Sequence, residues 1–272
     1  MMRPHVHHIT YCTPDWAGSA RDLARSAARY RLRTRIYGPQ HPAIKALASA
    51  HPHIMSQKRG AGFWLWKPAA LLDTLRRVPD GDLVIYSDAS IRFLLDPAPL
   101  LDLATDAAPS VLFDHIPHLS GPYTFRHSDW TKADCLVLMH ATGPDYVDAV
   151  QVIAGFQIHR AGPRSRAIVA EWLDWARDPR ILTDQPNTMG VPNDPGFREH
   201  RHDQSILTNL ALRNRLQRHP DPSVDLPGRP RFIDIYRRPY PLPRPWFWHV
   251  GRELAARPNT RSRAMLSRLL GR

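Results

Sequence analysis

The amino-acid sequence predicts an α/β protein with a mostly parallel central sheet flanked by helices. Three observations carry this expectation. Short apolar strands alternate with helical patterns from the start of the chain, as in sheets joined by crossover helices. The run Leu83-Val84-Ile85-Tyr86 is apolar throughout, as a strand buried on both faces should be, and it leads into the acid Asp88. Later helical segments carry apolar stripes at the spacing that packs one helix face on a sheet.

Along the chain, residues 6–12 alternate and read as a first strand. Asp15 stands as the N-cap of a helix over 16–30, with Leu23, Ala27 and Tyr30 on one face. A second strand over 34–37 closes at Gly38-Pro39, and a helix follows over 43–50. The segment from Arg59 to Pro68 is a glycine-bearing loop that allows close backbone approach. Pro68 suits the first turn of a helix running to about 78, with Leu71, Leu72 and Leu75 turned inward. Asp80-Gly81 turns the chain into the strand over 83–86, a short strand follows at 91–94, and Asp96-Pro97 starts another helix. Strands are predicted at 110–113 and 154–160. Helices are predicted at 130–139 and 164–176, the second with Ile168, Trp172 and Trp175 as its core stripe. Residues 183–197 form a long Pro/Asn/Gly loop of the kind that carries function. A last large helix runs from Asp203 to about 217. The segment 219–246 is Pro-rich and irregular apart from a strand at 232–236.

The chain has 272 residues, 43% of them hydrophobic, which is enough for one large domain over 1–251. Residues 252–272 form a basic tail with six arginines and one acid. Met265, Leu266, Leu269 and Leu270 share one helical face there, and Arg261, Arg263, Arg268 and Arg272 are placed to meet lipid phosphates. The formal charge of +12 favours anionic partners: phosphates, nucleic acid or an anionic membrane surface. No recognition helix or RNA-binding motif is present, so no specific nucleic acid is expected. Cys12 and Cys135 make neither a disulfide framework nor a CxxC zinc site, which fits a reducing cytoplasm. The N-terminal residues lack the apolar core of a signal peptide, and no run approaches the roughly 18 apolar residues that span a bilayer. The expected location is cytoplasmic, peripheral at the inner membrane face.

Chemistry concentrates in two places. Glu199-His200-Arg201-His202-Asp203-Gln204-Ser205 puts two histidines, two acids and an amide at the mouth of a helix. Polar groups are costly to bury there unless they are used. The second place is Asp88, since acids at strand ends of α/β folds point into the ligand crevice. Lys67 adds a positive charge at a helix N-terminus, where a phosphate is favoured. Trp64 and Trp66 are candidates to flank a nucleobase or sugar ring; spaced two apart, one belongs in the core and the other outside.

These segments resemble glycosyltransferases of the Rossmann-like nucleotide-diphospho-sugar (GT-A) fold. The likeness is to a group of bacterial and viral sugar transferases. It is carried by Ile9-Thr10-Tyr11 with Thr13-Pro14, by Gly62-Phe63-Trp64-Leu65-Trp66-Lys67-Pro68, by Tyr86-Ser87-Asp88-Ala89, and by Arg201-His202-Asp203-Gln204-Ser205-Ile206. Thr183-Asp184 with Pro186-Asn187 also fits, and the resemblance covers roughly residues 8 to 215.

The resemblance implies a nucleotide-diphospho-sugar donor, a cell-surface glycan or lipid-linked acceptor, and a divalent metal, Mn or Mg. It implies donor contacts at Tyr11, Trp66, Lys67, Asp88, Ser90, His202 and Gln204, with Asp203 as the catalytic carboxylate beside the anomeric carbon. Asp88 and His249 are the implied metal ligands. Ser90 stands where a second acid is usual, so the metal is expected to bind weakly. Alternative readings stand beside these. Asp88 can be a turn former, Asp203 a helix cap, and His249 a structural histidine. For the whole chain the alternatives are a metal-dependent phosphohydrolase built on His200, His202 and Asp203, or a basic nucleic-acid-binding protein.

Overall fold

The structure is a computed structural model and describes residues 4–117 and 124–235. The chain divides into two units, Met1–Pro239 and Tyr240–Arg272, and every described residue belongs to the first. His249, the expected boundary at 251 and the basic tail lie outside the described residues.

Six strands form a central mixed sheet: β1 (Val6–Tyr11), β2 (Thr34–Tyr37), β3 (Leu83–Ser87), β5 (Ser110–Asp114), β6 (Phe156–Arg160) and β7 (Gln217–Pro220). Their order is β2-β1-β3-β6-β5-β7. β1 is parallel to β2 and β3, and β5 is parallel to β7, so most of the sheet's pairings are parallel. β6 runs antiparallel to both its neighbours, β3 and β5. A separate two-stranded ribbon pairs β4 (Ile91–Phe93) with β8 (Ile233–Ile235).

Period-two alternation divides the core between the two sheet faces. On β3, Val84 and Tyr86 join a cluster with Ile9, Leu71, Trp172, Ile206 and Leu210. Leu83 and Ile85 join the opposite cluster, with Leu23, Phe93, Phe113, Phe156 and Ile158. Helices α2 (Pro42–Ala50), α3 (Trp66–Arg77), α4 (Pro163–Ala176) and α5 (Asp203–Arg213) supply the first cluster, and α1 (Ala17–Ala28) the second. This is the expected α/β architecture with helices on both faces. His8 is fully buried inside the sheet, with its ring nitrogens 2.8 Å from Thr34 Oγ1 on β2 and 2.7 Å from Ser87 Oγ on β3.

The elements correct the sequence expectation in several places. Asp15 does not cap α1: it sits inside a 3-10 turn, Pro14–Trp16, and Trp16 takes the N-cap position. The helix expected over 130–139 is a 3-10 turn at His127–Trp130, extended backbone, then a short helix at Ala133–Leu138. α5 stops at Arg213 rather than near 217, because Arg215 adopts φ 48° and turns the chain into β7. Trp175 is only partly buried, while Ile168 and Trp172 are in the core.

Candidate active site

β1 leads to β2 on one side and its other neighbour, β3, arrives from later in the chain. The carboxyl ends of β1 and β3 therefore border a topological switch point, where open α/β sheets bind ligands. A cavity of about 750 Å³ opens there, within the size range of small-molecule sites. Tyr11, Cys12, Thr13, Asp15 and Trp16 line it from the end of β1, and Asp88, Ala89 and Ser90 from the end of β3. The third wall is Met55, Gln57, Lys58, Gly60, Ala61, Trp64 and Trp66.

That wall is built by a run of left-handed backbone. Residues Gly60 to Trp64 all have positive φ, at 57°, 49°, 97°, 50° and 59°. Ala61, Phe63 and Trp64 each pay about 1 kcal/mol or more for this conformation. At Gly60 no side chain fits, since a Cβ would lie 2.4 Å from the Trp64 ring. The turn decides which tryptophan goes inside. Trp66 is buried, stacks on Tyr11 with centroids 3.9 Å apart, and donates from Nε1 to the Gly60 carbonyl. Trp64 is half-buried, lines the cavity and stacks on His202 at 5.4 Å.

Behind Asp88 lies an ion cluster. Lys67, in the first turn of α3, is buried with its Nζ 2.7 Å from Asp203 Oδ2 and 3.4 Å from Asp88 Oδ1. The Tyr86 hydroxyl donates to Asp88 Oδ1, as the period of a strand allows for residues two apart. Asp88 Oδ2 packs on Gly155, where a Cβ would come within 2.8 Å of it. Burial pushes the Lys67 ammonium down, but the Asp203 and Asp88 carboxylates outweigh it and hold the group above its ordinary value. Burial pushes the Asp203 carboxyl up to about 6, against the pull of Lys67. Burial and the neighbouring Asp88 raise the Tyr86 phenol well above its usual range.

Sequence-distant candidates are thus brought together: Tyr11, Trp66, Asp88 and Ser90 on the cavity, Lys67 and Asp203 behind Asp88. Asp203 itself is 4% exposed and does not line the cavity. It is the first residue of α5, so the cap alternative fails in its strict form; His202, at φ 51°, takes the cap position. His202 is buried beside Phe63 and Trp64 and donates from Nδ1 to the Leu182 carbonyl. Its Nε2 has no hydrogen-bond partner among the described residues and lies 3.7 Å from Asp184. Gln204 stands apart from the cavity walls: its amide donates to Gln151 Oε1 at 2.7 Å and accepts from the Ala154 amide. His200 donates to the Ile181 carbonyl and accepts from the Lys132 amide, so both ring nitrogens are engaged. The phosphohydrolase alternative loses its first ligand by that bonding.

Asp88 and Ser90 do not fit the divalent metal that the resemblance implies. Asp88 Oδ1 already faces the Tyr86 hydroxyl and the Lys67 ammonium, and Ser90 offers no charge. Among the described residues no group of three or more His, Cys, Asp or Glu side chains forms a ligand set. Sequence reasoning missed Lys58 and Asp15 on the cavity wall, and Gly155 beneath Asp88. Lys58 comes with the left-handed turn that follows it, Asp15 with the 3-10 turn after β1, and Gly155 with the β3–β6 pairing.

No protein-family model matches the chain, and no curated protein matches it. Its structure is similar to several solved glycosyltransferases. The bifunctional glycosyltransferase WbbM is 14% identical, with a TM-score of 0.45 over 82% of this chain. The chain spans only 39% of that protein's length. Mouse xyloside xylosyltransferase 1 is 11% identical, with a TM-score of 0.46 over 88% of this chain and 100% of that one. The galactosyltransferase LgtC, solved with donor and acceptor sugar analogues, is 13% identical, with a TM-score of 0.46 over 86% and 87% of the two chains. At these scores the likeness carries no functional argument, and the chemistry has to be read from the site itself.

Proposed function

We propose that this chain is a glycosyltransferase that moves a sugar from a nucleotide-diphospho-sugar donor to a hydroxyl of a cell-surface glycan or a lipid-linked acceptor. One observation carries the reading. The motif segments around Tyr11, Trp64 to Lys67, Asp88 and His202-Asp203 are far apart in sequence, yet the first three line one cavity at the switch point of the sheet and the last backs its wall behind Asp88 and Trp64.

In this reading the donor lies in the cavity. Trp64 offers an aromatic surface to the nucleobase or sugar, and Asp88 and Ser90 face the sugar-diphosphate. In the reaction the bond from the anomeric carbon to the β-phosphate oxygen breaks. The acceptor oxygen takes its place and the acceptor hydroxyl gives up its proton. The products are a glycoside, a nucleoside diphosphate and one proton. Asp203 is a positioning residue here: it fixes Lys67, and Lys67 fixes Asp88. His202 acts likewise by supporting Trp64 from behind. The basic tail, read from sequence alone, would hold the enzyme at an anionic membrane surface where a lipid-linked acceptor is found.

A thermal-shift panel of UDP-, GDP-, CMP- and dTDP-sugars tests the reading. A donor at 100 times its dissociation constant stabilises the protein by about 2.7 kcal/mol, a rise of several degrees in melting temperature for a domain of this size. No shift with any donor at millimolar concentration would contradict it.

A further inference from the structure

Asp88 and Asp203 come from different elements, the end of β3 and the start of α5, and approach each other with one atom between them. That atom is Lys67 Nζ, 2.7 Å from Asp203 and 3.4 Å from Asp88. The lysine side chain is 3% exposed, and Nζ also lies 5.4 Å from the Tyr86 ring centre and 5.8 Å from that of Trp66. Two carboxylates, two aromatic faces and almost complete burial describe a built cation site, and a side chain of this protein fills it. A divalent ion bridging the same oxygens at about 2.1 Å would have to expel the ammonium. The Lys67 stem is locked in the first turn of α3, where its backbone amide donates to the Trp64 carbonyl.

We propose that the Lys67 ammonium is the resident cation of this site, taking the place of a divalent metal between Asp88 and Asp203, so that a nucleoside diphosphate binds here without metal. The proposal rests on the donor-site reading above and deepens it. The ammonium offsets one of the two carboxylate charges. The cluster keeps a net negative charge and Lys67 Nζ does not reach the cavity, so the positive charge a diphosphate meets is on the cavity wall, where Lys58 is exposed and has no ion-pair partner among the described residues. Ser90 then needs no second acid beside it, because there is no metal for that acid to hold.

The test is titration of the full-length protein with Mn²⁺ alone, read by loss of the free-ion electron paramagnetic resonance signal. The wild type should leave the signal unchanged up to millimolar Mn²⁺. Lys67→Met, shown to be folded by circular dichroism, should take up one Mn²⁺ per chain, and Lys67→Met with Asp88→Asn should take up none. Stoichiometric binding by the wild type that Asp88→Asn removes would overturn the proposal, as would a folded Lys67→Met protein that binds no Mn²⁺. If Lys67→Met does not fold, the wild-type titration still decides. In parallel, UDP affinity of the wild type should agree within twofold in EDTA and in Mn²⁺. A tenfold or greater loss in EDTA would also overturn the proposal. Absence of UDP binding in both conditions would count against the donor-site reading instead, leaving the Mn²⁺ titration to judge the lysine.

Discussion

Acidification should unfold this protein steeply between about pH 6 and pH 4. Five buried histidines are held below their ordinary value of 6.5. Burial lowers His8 to about 3, and His127, His159 and His202 to about 4, while His200 lies well below 6.5. The hydrogen bonding agrees. His159 donates from Nε2 to Gln157 and accepts from Ser110 at Nδ1, and His127 donates to Asn209 and accepts from Gln151. A second proton on either ring would turn an acceptor nitrogen against a donor. The unfolded chain binds these protons near pH 6.5 and the folded one does not. Their contribution is therefore present above pH 6.5 and is lost as pH falls towards 4. Two carboxyl groups oppose the trend. Burial raises Asp114 and Asp203 to about 6, so the folded state takes up their protons first as pH falls. The unfolded state thus gains about three protons net near pH 5, a slope of roughly 4 kcal/mol per pH unit. Against a typical stability of about 5–15 kcal/mol, this puts acid unfolding in the pH 4–5 range. Urea unfolding followed by circular dichroism from pH 7.5 to 4.5 measures the slope. His159→Gln should reduce it by about one proton. A slope below about 1 kcal/mol per unit would refute the account of these rings as buried neutral bases.

Three further outcomes follow from the site and the tail. Gly155→Ala places a methyl within 2.8 Å of Asp88 Oδ2, so it should weaken donor binding at least tenfold with a small change in melting temperature; unchanged donor affinity would show that Asp88 does not meet the donor. Asp203→Asn removes the closer carboxylate from Lys67 and should destabilise the fold by about 3 kcal/mol, as breaking buried ion pairs does, which lowers the melting temperature by roughly 6–12 °C for a domain of this size; an unchanged melting temperature would mean the pair is not made in the folded protein. Removing the residues after Arg257 should abolish co-sedimentation with anionic vesicles at low salt, and equal sedimentation of both forms would remove the membrane role.

Much of this site could be read from residue order, and the unread parts have identifiable causes. β3 is legible because it is apolar from Leu83 to Tyr86, and the face of α3 because of the leucines at 71, 72 and 75, although the helix begins at Trp66, ahead of the expected start at Pro68. The direction of β6 is not legible, since alternation at Phe156 to Arg160 is the same for a parallel or an antiparallel strand. β7 reads Gln-Arg-His-Pro, a polar sheet edge with no apolar signal, so the sequence pattern splits it between the end of the helix before it and the irregular segment after it. The tryptophan pair shows the limit most clearly. Spacing requires Trp64 and Trp66 to differ, but only the left-handed turn at 60–64 decides that Trp66 stacks inside on Tyr11. The burial of Asp203 depends on Lys67 reaching it from 136 positions away in the chain, a distance no local pattern encodes.

The central claim is that the cavity beside Asp88 binds and cleaves a nucleotide-diphospho-sugar. The most direct measurement is the release of nucleoside diphosphate from a panel of such donors, in EDTA, by the wild type and by Asp88→Asn. The account predicts that at least one donor is cleaved by the wild type and that Asp88→Asn slows it at least a hundredfold while remaining folded. Failure of every donor, or equal release by the Asp88→Asn protein, would contradict it.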